Sequence, residues 1–260
     1  DAIVSNKKTI FPENYQTLSE DQKLQFLANI TSDLEENDFE DEITKSTIGS
    51  ILAMKTIQDN NGEKACNRYI ISNNESALHV FETLSMFHLC GWQNPTVDIV
   101  PLFESVEDLE KADKVMEQLY TNPTYANHLK QRGNEQTIML GFSDGTKDGG
   151  YLMANWGIYK AKEALTAISR KYDVKVMFFD GRGGPPARGG GKTNKFYASL
   201  GPTIENQQIQ LTVQGQTISS NFGTVDSCRY NLENLLSAGA SNQVFTKNEN
   251  ELSAGEKVIL

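Results

Sequence analysis

The sequence predicts an α/β fold, a helix-rich partial (β/α) barrel preceded by an N-terminal helical segment. Short, wholly apolar runs in it are typical of strands that are buried on both faces of a sheet. Helical patterns separate these runs, so that strand, loop and helix repeat at intervals of roughly 30–40 residues. Such repeats indicate βαβ units and a parallel sheet. No G-x-G-x-x-G motif follows the first strand, which weighs against a dinucleotide-binding fold.

The first part of the chain is predicted to be helical. Ser19 and Gln22 have the spacing of a capping box, which starts a helix. Residues 43–58 form a second predicted helix, because their apolar side chains recur at helical spacing. No strand is predicted before about residue 68.

Predicted strands and helices alternate in the central part. The strands are expected at 69–71, 97–103, 137–142, 174–179 and, as a fifth, 208–213. The helices between them are expected at 77–89, 105–119 and 150–171. Four or five strands are too few to close an eight-stranded barrel. Either the chain is a piece of a larger protein, or the sheet stays open.

These elements divide the chain into three predicted parts. The first is the helical segment, the second is the central part of a (β/α)8-type barrel with half of an active site, and the third is a helical C-terminal segment. Their expected limits are 1–60, 61–225 and 226–260.

Composition narrows the classes of function. The 260 residues carry 24 Lys and Arg against 34 Asp and Glu, a formal net charge of −10. Binding to a phosphate backbone needs a basic surface, so nucleic acid is not an expected partner. No apolar run approaches the roughly 18 residues of a membrane span, so no membrane association is expected. Three widely spaced cysteines favour a reducing compartment over a disulfide framework.

One stretch of this acidic chain is basic and rich in glycine. Residues 181–195 contain four cations and no acid, and six of the 20 glycines lie between 181 and 191. This composition fits a flexible surface loop. It also fits an anion-binding loop, because glycine lets backbone N–H groups approach a ligand and arginine supplies a fork for phosphate or carboxylate.

Polar residues follow three successive predicted strands. Glu104, Asp144 and Lys147 come after the second and third strands, and Arg182 and Arg188 come after the fourth. In a barrel, the carboxyl ends of strands carry the active site. Two carboxylates could hold Mg²⁺ or Mn²⁺ and leave positions for water and substrate. Acids are also common at helix N-termini, so each carboxylate taken alone could merely cap a helix.

Five segments of the chain form a recognisable series. They are YIISN (69–73), PLFES (101–105), IMLGFSDGTKDGG (138–150), FFDGRGGPPARGGG (178–191) and IQLTVQGQTISSNFG (209–223). In their order and spacing these segments resemble phosphoenolpyruvate carboxylase, and the similarity covers most of 40–225.

The resemblance implies a lyase that converts phosphoenolpyruvate and bicarbonate to oxaloacetate and phosphate. Bicarbonate attacks the phosphoryl group, giving carboxyphosphate and an enolate, and carbon dioxide then adds to the enolate carbon. The family is cytoplasmic, usually tetrameric, and built on a (β/α)8 barrel in a chain several times longer than this one. The sequence is therefore expected to be a central piece, and it is expected to be inactive alone because the family's upstream catalytic histidine is missing.

Matching positions take their expected roles from the family. Glu104 and Asp144 match the ligands of the Mg²⁺ or Mn²⁺ ion, and Lys147 matches the active-site lysine near bicarbonate. Arg182 matches a ligand of the substrate phosphate, and Arg188 matches the arginine of a mobile loop. The glycines expected to bind substrate beside these arginines are Gly183, Gly184, Gly189 and Gly190.

Two positions depart from the family pattern. Asp180 stands where a histidine is usual, and an acid there would repel bicarbonate unless a cation pairs with it. Gln216 stands where a glutamate is usual. The departures leave an alternative open, a non-catalytic module that binds phosphoenolpyruvate or another anion.

Overall fold

The predicted fold class is confirmed by the arrangement of five strands. A computed structural model describes residues 2–7, 9–245, 253 and 255–256, excluding the side chains at 216, 242 and 243. The sheet has the order β1-β2-β3-β4-β5, the three ladders from β2 to β5 are parallel, and the sheet is open. The strands are β1 (Arg68–Ile71), β2 (Asp98–Phe103), β3 (Glu135–Leu140), β4 (Lys175–Asp180) and β5 (Ile209–Leu211).

Helices make up most of the remaining described chain. They are α1 (Ala2–Asn6), α2 (Glu20–Leu27), α3 (Glu42–Asn61), α4 (Ala77–Leu89), α5 (Val106–Thr121), α6 (Pro123–Gln131), α7 (Phe142–Lys171), α8 (Thr193–Ala198), α9 (Gly215–Phe222) and α10 (Val225–Val244). The capping box of Ser19 and Gln22 is present at the start of α2, and α4 has its predicted limits.

Four helical regions differ from the prediction. Helices α8 and α9 are absent from it. Helix α6 is absent as well, although Asn122 caps the helix and Pro123 occupies its first turn. Helix α7 begins at Phe142, well before the predicted start at 150. Gly150 interrupts it with a φ of 79°, so two helical stretches follow each other. The residues after β3 therefore form helical turns, which places Asp144 and Lys147 one turn apart.

The chain folds into two compact units. The first contains 1–71, 75–100 and 118–134, and the second contains 72–74, 101–117 and 135–260. All of the predicted site residues belong to the second unit. The three-part division of the chain stays a prediction. None of the helices formed by described residues combines the length and apolar character needed to cross a bilayer.

The interior of the first unit holds an uncharged histidine. His128 on α6 is 6% exposed. Burial is the main reason that its pKa falls to about 4, and the positive charges of Arg132 and His88 add to the effect. A hydrogen bond with the backbone of Val97 opposes this shift only in part. His128 therefore packs as a neutral ring at neutral pH.

We expect this histidine to make the fold sensitive to acid. Because its pKa is lowered from an ordinary 6.5 to about 4, the unfolded chain takes up a proton in that interval and the folded chain does not. The stabilisation is complete above pH 6.5 and is lost as the pH falls toward 4. Urea unfolding at a series of pH values should show a loss of about 1–3 kcal/mol from this group.

The variant His128→Gln should remove that part of the pH slope. His79→Gln, at a half-buried position on α4, is the matched control and should keep the wild-type slope. An identical slope in wild type and His128→Gln would contradict the assignment.

Candidate active site

The residues that follow β2, β3 and β4 lie along one edge of the sheet. Each strand end is joined to the next by a backbone hydrogen bond, which keeps the chain in register just beyond the sheet. These bonds run from Gly141 N to Phe103 O (2.8 Å), from Gly181 N to Leu140 O (3.0 Å) and from Thr212 N to Asp180 O (3.1 Å). The carboxyl edge of the second unit thus gathers segments that are far apart in sequence.

Glu104 occupies this edge directly after β2. Its side chain is half-buried, and its carboxyl group accepts a hydrogen bond from the backbone N–H of Asn73. Burial raises the pKa of Glu104, and the negative charges of Asp144 and Asp108 raise it further. Glu104 and Asp144 therefore share one electrostatic environment.

Asp144 and Lys147 project from the first turns of α7. Asp144 Oδ1 lies 2.7 Å from Lys147 Nζ, and both side chains are more than half exposed. Helical spacing brings them together, since positions three apart lie on the same face. The pair keeps an ammonium group beside the carboxylates while leaving it accessible to a solute.

The hydrogen bonds at the start of α5 show which residues cap that helix. Ser105 and Asp108 cap α5 reciprocally, with N–H to side-chain oxygen distances of 3.0 and 3.1 Å. Asp148 accepts a hydrogen bond from Val106 N at the start of α5. Helix α5 is capped by these residues, so Glu104 is not needed for that purpose.

The glycine-rich stretch is a packed loop. Gly184, Gly189 and Gly190 are buried. A Cβ at Gly183 would collide with the carbonyl oxygen of Thr212, and one at Gly190 would collide with the carbonyl oxygen of Gly184. Contacts this close need glycine on at least one side. The structure therefore favours the interpretation as a built loop over that of a loose surface segment.

This loop also packs against the start of α7. Gly189 has a φ of 76°, and a Cβ there would lie 2.7 Å from Thr146 Oγ1 and 2.8 Å from Phe142 O. Arg188 precedes it, in the 3₁₀ turn Pro186–Arg188, and its side chain is exposed. Through Gly189, the loop brings Arg188 to the helical turn that also carries Asp144 and Lys147.

Arg182 is held inside the same loop. Its side chain is 4% exposed, and its guanidinium carbon lies 4.4 Å from the ring centre of Phe196. Nη1 donates to the carbonyl oxygen of Gly191 at 3.3 Å. Among the described residues, no group accepts a hydrogen bond from its Nε. The side chain of Tyr151 is a further hydrogen-bond partner of the guanidinium. A buried guanidinium fixed in this way can attract an anion.

A cavity of about 450 Å³ opens beside Arg182. The end of the loop, β5 and the helices that follow supply its walls. The polar and cationic lining residues include Arg182, Lys192, Thr193, Asn194, Lys195, Thr217, Asn221, Asn231 and Asn234. A volume in this range suits a small-molecule ligand, and the cations favour an anionic one. The asparagines of this lining could not be predicted as ligand-binding residues, since single amides form no sequence motif.

The departure at position 180 is explained by two partners that the sequence analysis missed. Asp180 is fully buried, and its Oδ2 lies 2.8 Å from Lys162 Nζ and 2.6 Å from the hydroxyl of Tyr197. Lys162 is 1% exposed. The helical spacing of α7 could have predicted that Lys162 is buried, because it lies four residues from Ile158 and four from Thr166 on the buried face of the helix. The cation that an acid at 180 requires is thus present.

Glu104 and Asp144 are the two carboxylates at this edge of the sheet that the sequence predicts as metal ligands. In the described part of the chain, no cluster of three or more His, Cys, Asp or Glu side chains could hold one. Glu104 and Asp144 nevertheless supply hard oxygen atoms, which Mg²⁺ and Mn²⁺ prefer. Burial and the neighbouring carboxylates raise the pKa of Glu104, and the hydrogen bond from Asn73 and the charge of Lys147 oppose the rise. The side chain of Gln216 lies outside the described residues.

The close contacts of the loop make one substitution informative. We expect Gly190→Ala to destabilise the protein by about 1–3 kcal/mol, because the loop must move away from the carbonyl oxygen of Gly184. Urea unfolding gives the stability, and proteolytic cleavage within the loop reports its opening. Gly201→Ala is the control, because the nearest atom to a Cβ there lies 4.0 Å away. Equal stability and equal cleavage of the two variants would contradict the packed loop.

A comparison with protein families places the chain by its sequence. The family described as Phosphoenolpyruvate carboxylase matches residues 2–257. The match covers nearly the whole chain, including all segments that carry the candidate site. The chain therefore belongs to the phosphoenolpyruvate carboxylase family.

Proposed function

We propose that this chain is the central part of a phosphoenolpyruvate carboxylase and carries half of its active site. The reaction joins phosphoenolpyruvate and bicarbonate to give oxaloacetate and phosphate. One observation supports it most: the edge beyond β2, β3 and β4 carries two carboxylates, an exposed lysine and a loop with two arginines. Family membership supports the same chemistry.

Arg182 is proposed to bind the phosphoryl group of phosphoenolpyruvate. Arg182 lines the cavity, which places a positively charged side chain beside a ligand there. Negative charge is redistributed over the phosphoryl oxygens when bicarbonate attacks phosphorus and the bond to the enol oxygen breaks. A fixed cation in a buried position stabilises that charge more than a solvated one. The loop glycines around Arg182 would let backbone N–H groups approach the same oxygens.

Lys147 and Arg188 are proposed to hold bicarbonate and then carboxyphosphate. Both are exposed. Lys147 lies on the first turns of α7, and Arg188 precedes Gly189, the loop residue that packs against those turns. Loss of phosphate from carboxyphosphate releases carbon dioxide, which the enolate carbon attacks to form the new carbon–carbon bond. Closure of the loop over these groups would exclude water, which otherwise protonates the enolate.

Glu104 and Asp144 would hold the divalent metal ion, Mg²⁺ or Mn²⁺. When bound there, the ion supplies positive charge beside the oxygen atoms that become negative in the reaction. The tetrameric assembly and the cytoplasmic location that the family implies belong to this proposal as well.

The carboxylates provide the direct test in the full-length protein. Wild type is assayed with phosphoenolpyruvate, bicarbonate and Mg²⁺ for oxaloacetate and phosphate. Glu104→Gln and Asp144→Asn keep shape but remove charge, and each should lower kcat by about 10²–10³. Glu110→Gln, an exposed acid on α5, is the control and should leave kcat unchanged.

Absence of both products from the wild-type reaction would refute the carboxylase assignment. Calorimetry then separates the remaining possibilities. Binding of phosphoenolpyruvate without turnover would identify the non-catalytic binding module instead.

A further expectation concerns the isolated 260-residue chain. We expect it to form no oxaloacetate under conditions in which the full-length protein is active, because a catalytic histidine that the family uses lies outside it. A coupled assay of both proteins at equal concentration measures this. Turnover by the isolated chain above the blank would contradict it.

A further inference from the structure

Asp180 has one satisfied oxygen and one unsatisfied oxygen. Oδ2 accepts hydrogen bonds from Lys162 at 2.8 Å and from the Tyr197 hydroxyl at 2.6 Å. Among the described residues, Oδ1 has no hydrogen-bond partner although the side chain is fully buried. A buried carboxylate oxygen that accepts no hydrogen bond destabilises the fold, so a donor that came within reach would pair with it.

Arg182 presents the complementary feature two residues away. Its Nε–H is buried and, within the described part of the chain, has no acceptor. The negative charge of Asp180 acts on the Arg182 guanidinium, yet the two side chains form no ion pair. Instead Arg182 stacks at 4.4 Å on Phe196 and reaches the cavity. The acid and the arginine therefore interact electrostatically, and no ion pair joins them in the described part of the chain.

Lys162 competes with Arg182 for the carboxylate of Asp180. Its ammonium group is buried, and Asp180 is the carboxylate paired with it among the described side chains. Aromatic rings complete its surroundings, with ring centres 4.9 Å away in Phe178, 5.3 Å in Phe196 and 5.6 Å in Tyr197. Lys162 and Arg182 thus share the Phe196 ring as well as the field of Asp180.

We propose that Lys162 is a positioning residue that holds the Asp180 carboxylate away from Arg182 and so leaves the Arg182 guanidinium available to a phosphate group. This inference rests on the proposed function, in which Arg182 binds the substrate phosphoryl group. Without Lys162, the charge of Asp180 would have only the Tyr197 hydroxyl and the nearby arginine as partners. Asp180 would then pair with Arg182 and neutralise the positive charge that is proposed to bind phosphate.

The proposal predicts different effects for the two members of the pair. Lys162→Met frees Asp180 to pair with Arg182, so binding of inorganic phosphate should weaken and the KM for phosphoenolpyruvate should rise, each by about tenfold or more. Asp180→Asn leaves two cations without a competing acid, so phosphate should bind at least as tightly as in wild type. The double variant should return to within about threefold of wild type, because it contains no acid that can capture Arg182.

The measurements use the full-length protein. Calorimetry with inorganic phosphate gives the affinity, steady-state kinetics separates KM from kcat, and thermal unfolding reports stability. Both single variants should lower the Tm, because each leaves a buried charge unpaired. Lys160→Met, an exposed position on the same helix, is the matched control and should change neither affinity nor Tm. If Lys162→Met does not fold, Lys162→Gln gives the same comparison.

A purely structural role makes a different pattern. Phosphate affinity would then fall in both single variants in parallel with the Tm, and that result would overturn the proposal. Unchanged affinity in Lys162→Met, or a double variant as weak as Lys162→Met, would overturn it as well. A wild type that binds phosphate without forming oxaloacetate refutes the carboxylase function and leaves this comparison intact, whereas an active wild type with an unchanged KM in Lys162→Met refutes only the role of Lys162.

Discussion

The ion pair between Lys162 and Asp180 is the interaction on which the candidate site depends most. Both side chains are almost completely removed from water, and each charge loses several kcal/mol of hydration on such burial. Only close pairing can offset that loss, and the 2.8 Å contact with a second hydrogen bond from Tyr197 provides it. Because Lys162 lies on α7, Asp180 ends β4 and Tyr197 lies on α8, the pair joins three elements beneath the loop that carries the arginines.

The loop around Arg182 depends in turn on close backbone packing. Glycines at 183 and 190 pass carbonyl oxygen atoms at distances that no other residue permits, and Gly189 rests on the first turns of α7. The contacts with Thr212, within the loop and with the start of α7 therefore fix the backbone of this loop. This packing buries Arg182, whereas Arg188 stays exposed.

The aspartate at position 180 differs from the histidine that is usual in the family, and its effect depends on the side chains that contact it. An acid there would be unfavourable for an anionic substrate if it stood alone. Lys162 neutralises it, so the buried cluster of Lys162, Asp180 and Arg182 retains a net charge of about +1 with these groups ionised. Substituting histidine at 180 alone would leave the Lys162 ammonium without its counter-ion. The residues at 162 and 180 thus form one unit, and membership of the family is compatible with the acid.

Much of the fold follows from the sequence alone, because apolar strands, capping boxes and helical stripes are local patterns. They were sufficient for the α/β class, for α2 and α4, and for the order of the residues along the edge of the sheet. Helix α6 was missed although Asn122 and Pro123 mark its start. Helices α8 and α9 and the early start of α7 were missed because no side-chain cap marks where they begin. The partners of Asp180 could be recognised only in the tertiary structure: Lys162 lies 18 positions away on another element, and a sequence does not show which charges leave water together.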